Sequence, residues 1–273
     1  VDSDTVEIFI RFGLLLSVVF GIPAFFLVRA RRRKRGGEAV RRERVRLLTE
    51  RLGGEFTADP ARSWPGSAGR RRPFLHLYHH SGFLGSLRVP HREPEFRFAA
   101  EIPHGRWRLR VCEGSILRSG PHNSAYEDVE HIVETRTGTT PGLKLAPVLD
   151  PAVIRALGFP GRVRDPRQSA FDLELREPVP SASSWQEVEL PEEIGAHVVA
   201  YTEDPAFAAR VLTPSTLRWL VENKTDLQCL LAFDHGYFYA VDGKPVAAET
   251  LPGRLDALAA LLDRIGVEAT ASG

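Results

Sequence analysis

The chain has no methionine, two cysteines and four lysines in 273 residues. Cys112 and Cys229 are too few for a disulfide framework or a four-thiolate zinc site. No repeat recurs at the spacings of solenoid arrays. Only one segment is apolar enough to cross a bilayer, which excludes a polytopic transporter. Neither charge dominates: 36 basic against 35 acidic residues leave a formal net charge of +1. With 43% hydrophobic and 26% charged residues, the composition excludes a disordered chain, a collagen-like fibre and a small disulfide scaffold. Few lysines beside much Arg, Ala, Gly and Pro fit a GC-rich bacterial genome. A non-AUG start codon read literally as Val1 accounts for the missing methionine, and on that expectation Val1 is the true N-terminus.

The near-neutral total hides an asymmetry. Residues 1–72 carry 16 Lys and Arg against 8 Asp and Glu, whereas the rest carries 20 against 27. Within the basic part, residues 8–28 (IFIRFGLLLSVVFGIPAFFLV) form an apolar run. As a helix it reaches about 31 Å, roughly one hydrocarbon core. Arg11, its one charge, lies within a turn of the start and can snorkel. Acidic residues Asp2, Asp4 and Glu7 precede the run, and Arg29, Arg31, Arg32, Arg33, Lys34 and Arg35 follow it. A cleaved signal peptide has the opposite order, so the expectation is one uncleaved transmembrane helix. Positive charge stays inside, which puts the 1–7 tail outside and residues 36–273 in the cytoplasm, a single-pass protein of the cytoplasmic membrane. The six basic residues are the candidates for contact with anionic lipid headgroups. Nucleic-acid binding is not expected of them, because no aromatic stacking partners accompany them.

Beyond the anchor the chain divides into a basic juxtamembrane segment and amphipathic helix (29–56), a β-rich antiparallel module (74–176), a linker (177–194) and a C-terminal α+β module (195–268). Gly36-Gly37 reads as a break. Val45, Leu48 and Leu52 mark a helical stripe over 38–52, stopped by Gly53-Gly54. Strands are expected at 74–78, 86–89, 95–102, 107–112, 131–137 and 171–175, with a short helix at 151–157. The runs at 95–102 and 107–112 flank the turn Pro103-His104-Gly105-Arg106. The last 80 residues read β-α-α-β-β-α. Asp204-Pro205 and Thr213-Pro214 are helix starts, Asp234-His235-Gly236 is a hairpin turn, and a helix runs over 249–265. The fold class expected is therefore α+β, one N-terminal transmembrane helix followed by two modules, with a single continuous sheet through both left open.

Residues 202–220, TEDPAFAARVLTPSTLRWL, lead into an apolar hairpin and a helix. Through Phe207, Ala208, Arg210, Leu212, Thr213 and Pro214 this segment resembles a family of bacterial single-pass membrane-anchored proteins of unknown function. The resemblance covers about residues 195–265. It implies a membrane-tethered domain and brings no catalytic residues.

No catalytic set assembles in the sequence. His76, His79 and His80 are the densest histidine cluster, but on a strand His76 and His80 stand about 13 Å apart, and no carboxylate or Cys accompanies them. No metal and no cofactor are expected. Residues 138–144 (GTTPGLK) are Gly-rich but lack the phosphate-loop spacing. Cys112 and Cys229 fall on apolar strands and read as buried small hydrophobes. The carboxylates Asp172 and Glu174, and the group Glu127, Asp128 and Glu130, could serve acid–base or metal-assisted hydrolysis. Alternation of Asp172 and Glu174 with Phe171, Leu173 and Leu175 equally describes a strand's solvent face. The leading expectation is a membrane-anchored cytoplasmic-face binding or adaptor protein with a protein partner. The alternatives are a tethered hydrolase or nuclease, and a ligand sensor.

Overall fold

A computed structural model describes residues 22–58, 95–119, 125–148, 185–223, 227, 229–234 and 236–267. The chain divides into two units, Val1–Leu47 and Leu48–Gly273.

Helix α1 spans Ile22–Arg51. It holds the last seven residues of the apolar run, all six candidate headgroup contacts and the expected amphipathic stretch. Gly36-Gly37 does not interrupt it. Both glycines are exposed, no neighbour lies within 4 Å of where a Cβ would sit, and strong helix formers follow. The helix stops where the sequence indicates: Gly53 takes φ 73°, and Gly54 N–H donates to the Thr49 carbonyl at 2.9 Å. A Cβ on Gly54 would meet the Glu101 carbonyl oxygen at 2.4 Å, so only glycine lets the chain turn onto the sheet there.

Among the described residues nine strands follow: β1 Glu55–Thr57, β2 Glu95–His104, β3 Trp107–Ser119, β4 Ala125–Arg136, β5 Leu143–Pro147, β6 Gln186–Glu187, β7 Val198–Thr202, β8 Leu230–Asp234 and β9 Tyr237–Asp242. They form one sheet in the order β1-β2-β3-β4-β9-β8-β5-β7-β6, and every pairing is antiparallel. Helix α2 (Glu192–Gly195) precedes β7, α3 (Pro205–Val211) and α4 (Pro214–Glu222) follow it, and α5 (Leu251–Ile265) ends the described chain.

Two features of the expected fold class are corrected. Among the described residues no helix is long and apolar enough to cross a membrane. The apolar part of α1 is too short, because from Arg29 onward its residues are mostly charged; residues 8–21 of the apolar run lie outside the described residues. The second correction concerns the two modules. Strand β4, from the expected β-rich module, pairs with β9 from His131↔Asp242 to Arg136↔Tyr237. One largely antiparallel sheet with few helices thus runs through both. Residues 185–194 of the expected linker hold β6 and α2.

Local chemistry explains the elements. Gly105 at φ 59° and Gly236 at φ 80° make the β2–β3 and β8–β9 turns. The Asp204 carboxylate accepts from Ala206 N–H at 2.8 Å and Phe207 N–H at 3.2 Å, capping α3. Thr213 caps α4 through Thr216 N–H. Gly266, at φ 72°, ends α5. On α5, Leu251, Leu255, Leu258, Leu261 and Leu262 are buried, as are Leu109, Val111, Val133 and Ala240 of the sheet. Phe233 is the hinge of an aromatic cluster, 6.1 Å from Phe207 and 4.8 Å from Phe238 between ring centroids.

Candidate functional site

Strand register sets three ionisable side chains in one row. Glu113 of β3 stands opposite His131 of β4, and His131 opposite Asp242 of β9. Cross-strand partners point to the same side of a sheet, here the side that meets α5. Two of the three are buried, Glu113 wholly inaccessible and His131 4% exposed, and Asp242 is half-buried. From α5, Arg254 Nη1 donates to His131 Nε2 at 2.9 Å and to Asp242 Oδ2 at 3.0 Å. His131 Nδ1 lies 2.5 Å from the Lys244 carbonyl oxygen.

These contacts fix the tautomer. A guanidinium only donates, so Nε2 accepts and the ring proton sits on Nδ1, donated to Lys244. Burial, and after it the Arg254 charge, hold the imidazole below its ordinary range. The Lys244 carbonyl, Asp242 and Glu113 pull the other way. The ring is neutral and both nitrogens are engaged, so it has no lone pair free to act as a base.

Glu113 holds the next stretch of chain. Its Oε2 accepts from Val246 N–H at 2.8 Å, and its Oε1 pairs with Arg97 Nη1 at 3.4 Å. Arg97 also donates to Ser115 Oγ at 3.3 Å and pairs with Glu127. Lys244 and Val246 lie on the connection from β9 to α5, so His131 and Glu113 together pin that connection to the sheet. At the far end of α5, Asp263 accepts from Trp107 Nε1 at 2.9 Å and Arg106 Nε at 2.7 Å.

The same face continues across β8, β5 and β7, where the pairs Leu231↔Ala240, Leu145↔Leu231 and Leu145↔Ala200 keep one side. There the closure is incomplete. A cavity of about 320 Å³ lies between these strands and α4. Leu145, Val198 and Leu231 line it from the sheet and Leu220 and Val221 from α4, with Ala196 and His197 at its edge. Ala196 and His197 are exposed. Cys229 belongs to both regions: it lines the cavity, and its thiol interacts with Arg254. Burial pushes that thiol up to about 11, against the pull of the guanidinium. A neutral, buried thiol is a weak nucleophile. Arg254 Nε and Nη2 are buried without an oxygen or nitrogen acceptor.

The residues singled out by sequence fall elsewhere or are scattered. Arg29, Arg31, Arg32, Arg33, Lys34 and Arg35 lie along α1. His76, His79 and His80, together with Asp172 and Glu174, lie outside the described residues. Glu127 pairs with Arg97 and Glu130 is wholly buried. Among the described residues no group of three His, Cys, Asp or Glu side chains could hold a metal. The Gly-rich 138–144 stretch runs into β5: a Cβ on Gly142 would meet the Trp185 ring at 2.6 Å, and Lys144 Nζ sits 5.1 Å from the centroid of that ring. No phosphate cradle is left there.

Glu113, Asp242, Arg254 and the cavity are the features sequence reasoning missed. A signal was present. Glu113 continues the stripe Trp107, Leu109, Val111, and Arg254 lies three and four residues from Leu251 and Leu258 on α5. A charge set inside an apolar stripe is a buried-charge signal. The cavity left no such trace, because its walls come from four separate elements.

No family model matches the chain, and no curated protein matches it. Among solved structures the chain is similar to the crystal structure of the mycobacterial trehalose monomycolate transport factor A, TtfA, with a TM-score of 0.45 and 8% sequence identity over 85% of this chain and 98% of that one. A likeness of that degree carries no function across.

Proposed function

We propose that the chain is a membrane-anchored binding module at the cytoplasmic face, which acts by holding a partner. One observation carries this reading. The ionisable row Glu113, His131 and Asp242 spends its hydrogen bonds on the β9–α5 connection and on Arg254, while the space beside it is a cavity to which Leu145, Val198, Leu220, Val221 and Leu231 contribute apolar side chains. Fixed charge beside apolar space suits binding, because a catalytic acid or base needs a free proton site facing the substrate. Attachment to the membrane is supported by the apolar run at 8–28 and the basic residues after it. The excess of acidic residues beyond 72 favours a protein partner with a basic surface, whose approach it would accelerate.

The test is capture of the tagged full chain from its host in mild detergent, with residues 1–52 as control. The expected result is a stoichiometric protein partner that the control does not bring down. Its capture should weaken as salt is raised from 50 to 300 mM. Equal recovery with the control contradicts the reading.

A further inference from the structure

The cavity between β5, β7, β8 and α4 has the character of a ligand site. We propose that it takes one saturated acyl chain of a single-chain amphiphile, tail inward and head at the Ala196–His197 edge.

Three observations lead there. The first is chemistry. Leu145, Val198, Leu220, Val221 and Leu231 supply apolar walls, and the Cys229 thiol that joins them is held neutral by burial. The second is size. An engineered apolar cavity of about 150 Å³ takes up benzene, so about 320 Å³ has room for about a dozen carbons. That suits one chain and is too little for the two tails of a phospholipid. The third is polarity along the cavity. Exposed Ala196 and His197 mark one edge, and buried Cys229, beside the half-buried Arg254–Asp242 pair, marks the inner wall. A polar head therefore has solvent at the edge and no route past the inner wall. The apolar run at 8–28 adds an argument from supply, since a chain tethered at a bilayer meets free fatty acids and lysolipids there. In this last respect only, the inference rests on the binding-module reading.

The experiment uses the full chain in phosphatidylcholine nanodiscs with a dodecanoic acid that carries a diazirine near its tail. After irradiation, peptide mass spectrometry should find the label on Leu220, Val221, Cys229 or Leu231. Unlabelled saturated acids should compete with about four-fold greater potency, in free aqueous concentration, for each methylene added. The gain should stop near twelve carbons. Dodecanol should compete within a few-fold of dodecanoic acid, because the head stays in solvent. Val221→Trp, at a half-buried wall position, should cut labelling at least ten-fold. Ala196→Trp, at the exposed edge, should also block entry and leaves the core untouched, so it decides the matter where Val221→Trp disturbs folding. Label confined to other residues overturns the proposal. So does labelling indifferent to both substitutions, or labelling only by a diacyl phospholipid probe. Loss of cavity labelling with partner capture intact removes this inference alone, and labelling without capture removes the partner reading alone.

Discussion

The side of the sheet that carries α5 is closed in two different ways. Over β3, β4 and β9 the closure is electrostatic. Arg254 reaches down from the helix to His131 and Asp242, while Glu113 and His131 reach up to the Val246 N–H and the Lys244 carbonyl. Over β5, β7 and β8 the closure is apolar and loose, with α4 and the α2–β7 turn leaving about 320 Å³. Buried charges demand partners, because an unpaired charge carries a large desolvation penalty, and Glu113, His131 and Arg254 Nη1 each have them here. Apolar walls carry no such demand and tolerate space. The charged end is therefore the rigid part of the face, and the apolar end is the part that can accept something.

That contrast breaks most readily at Glu113. Replacement by Ala removes one of the two carboxylates that pair with Arg97 and the acceptor of the Val246 N–H, and should lower unfolding free energy by about 3 kcal/mol in urea titrations. A loss under 1 kcal/mol would show that the charged end does not hold the fold. Arg254→Met leaves Asp242 and His131 Nε2 without their donor and should destabilise by about 2–3 kcal/mol. It should also raise the His131 pKa, read by NMR, since the Arg254 charge is one of the causes that lower it.

Acid sharpens the comparison. His131 binds a proton less readily when folded than at its ordinary 6.5, so the unfolded chain takes up more protons as pH falls. The stability that the neutral ring contributes is full above about pH 6.5 and is lost as pH drops below it, by at most about 1.4 kcal/mol per pH unit. Melting temperatures between pH 7.5 and 5 should show this slope, and His131→Gln, which keeps an acceptor and cannot titrate, should remove it. An unchanged slope in that variant would place the titrating group elsewhere. The smallest effect belongs to the apolar end. Val221→Leu adds one methylene to the cavity wall and should stabilise by about 0.5 kcal/mol. A loss above 1 kcal/mol would mean the space is already filled.

Local elements were legible where one residue decides them. Asp204 and Thr213 cap their helices, Gly53 ends α1, and Gly105 and Gly236 turn the hairpins. Each rests on side-chain or φ preference within four residues, which a linear reading sees. The continuity of the sheet was not legible, because it depends on β4 pairing with β9 a hundred residues later. Strand β5 was hidden by the Gly and Thr residues before it. The helix through Gly36-Gly37 overrode a local breaker, since two exposed glycines weaken a long helix without ending it. Within the candidate site, the buried charges were readable as interruptions of apolar stripes at Glu113 and Arg254. Their assembly with His131 was not, because it joins β3, β4, β9 and α5.

The apolar end of this face binds and the charged end holds. Residue-resolved amide hydrogen exchange on the full chain in nanodiscs, with and without dodecanoic acid, tests it most directly. Exchange should slow at 196–198, 220–221 and 229–231, with no change at 131 and 242–246. Protection gained at His131, Lys244 and Val246, or at none of these positions, would contradict it.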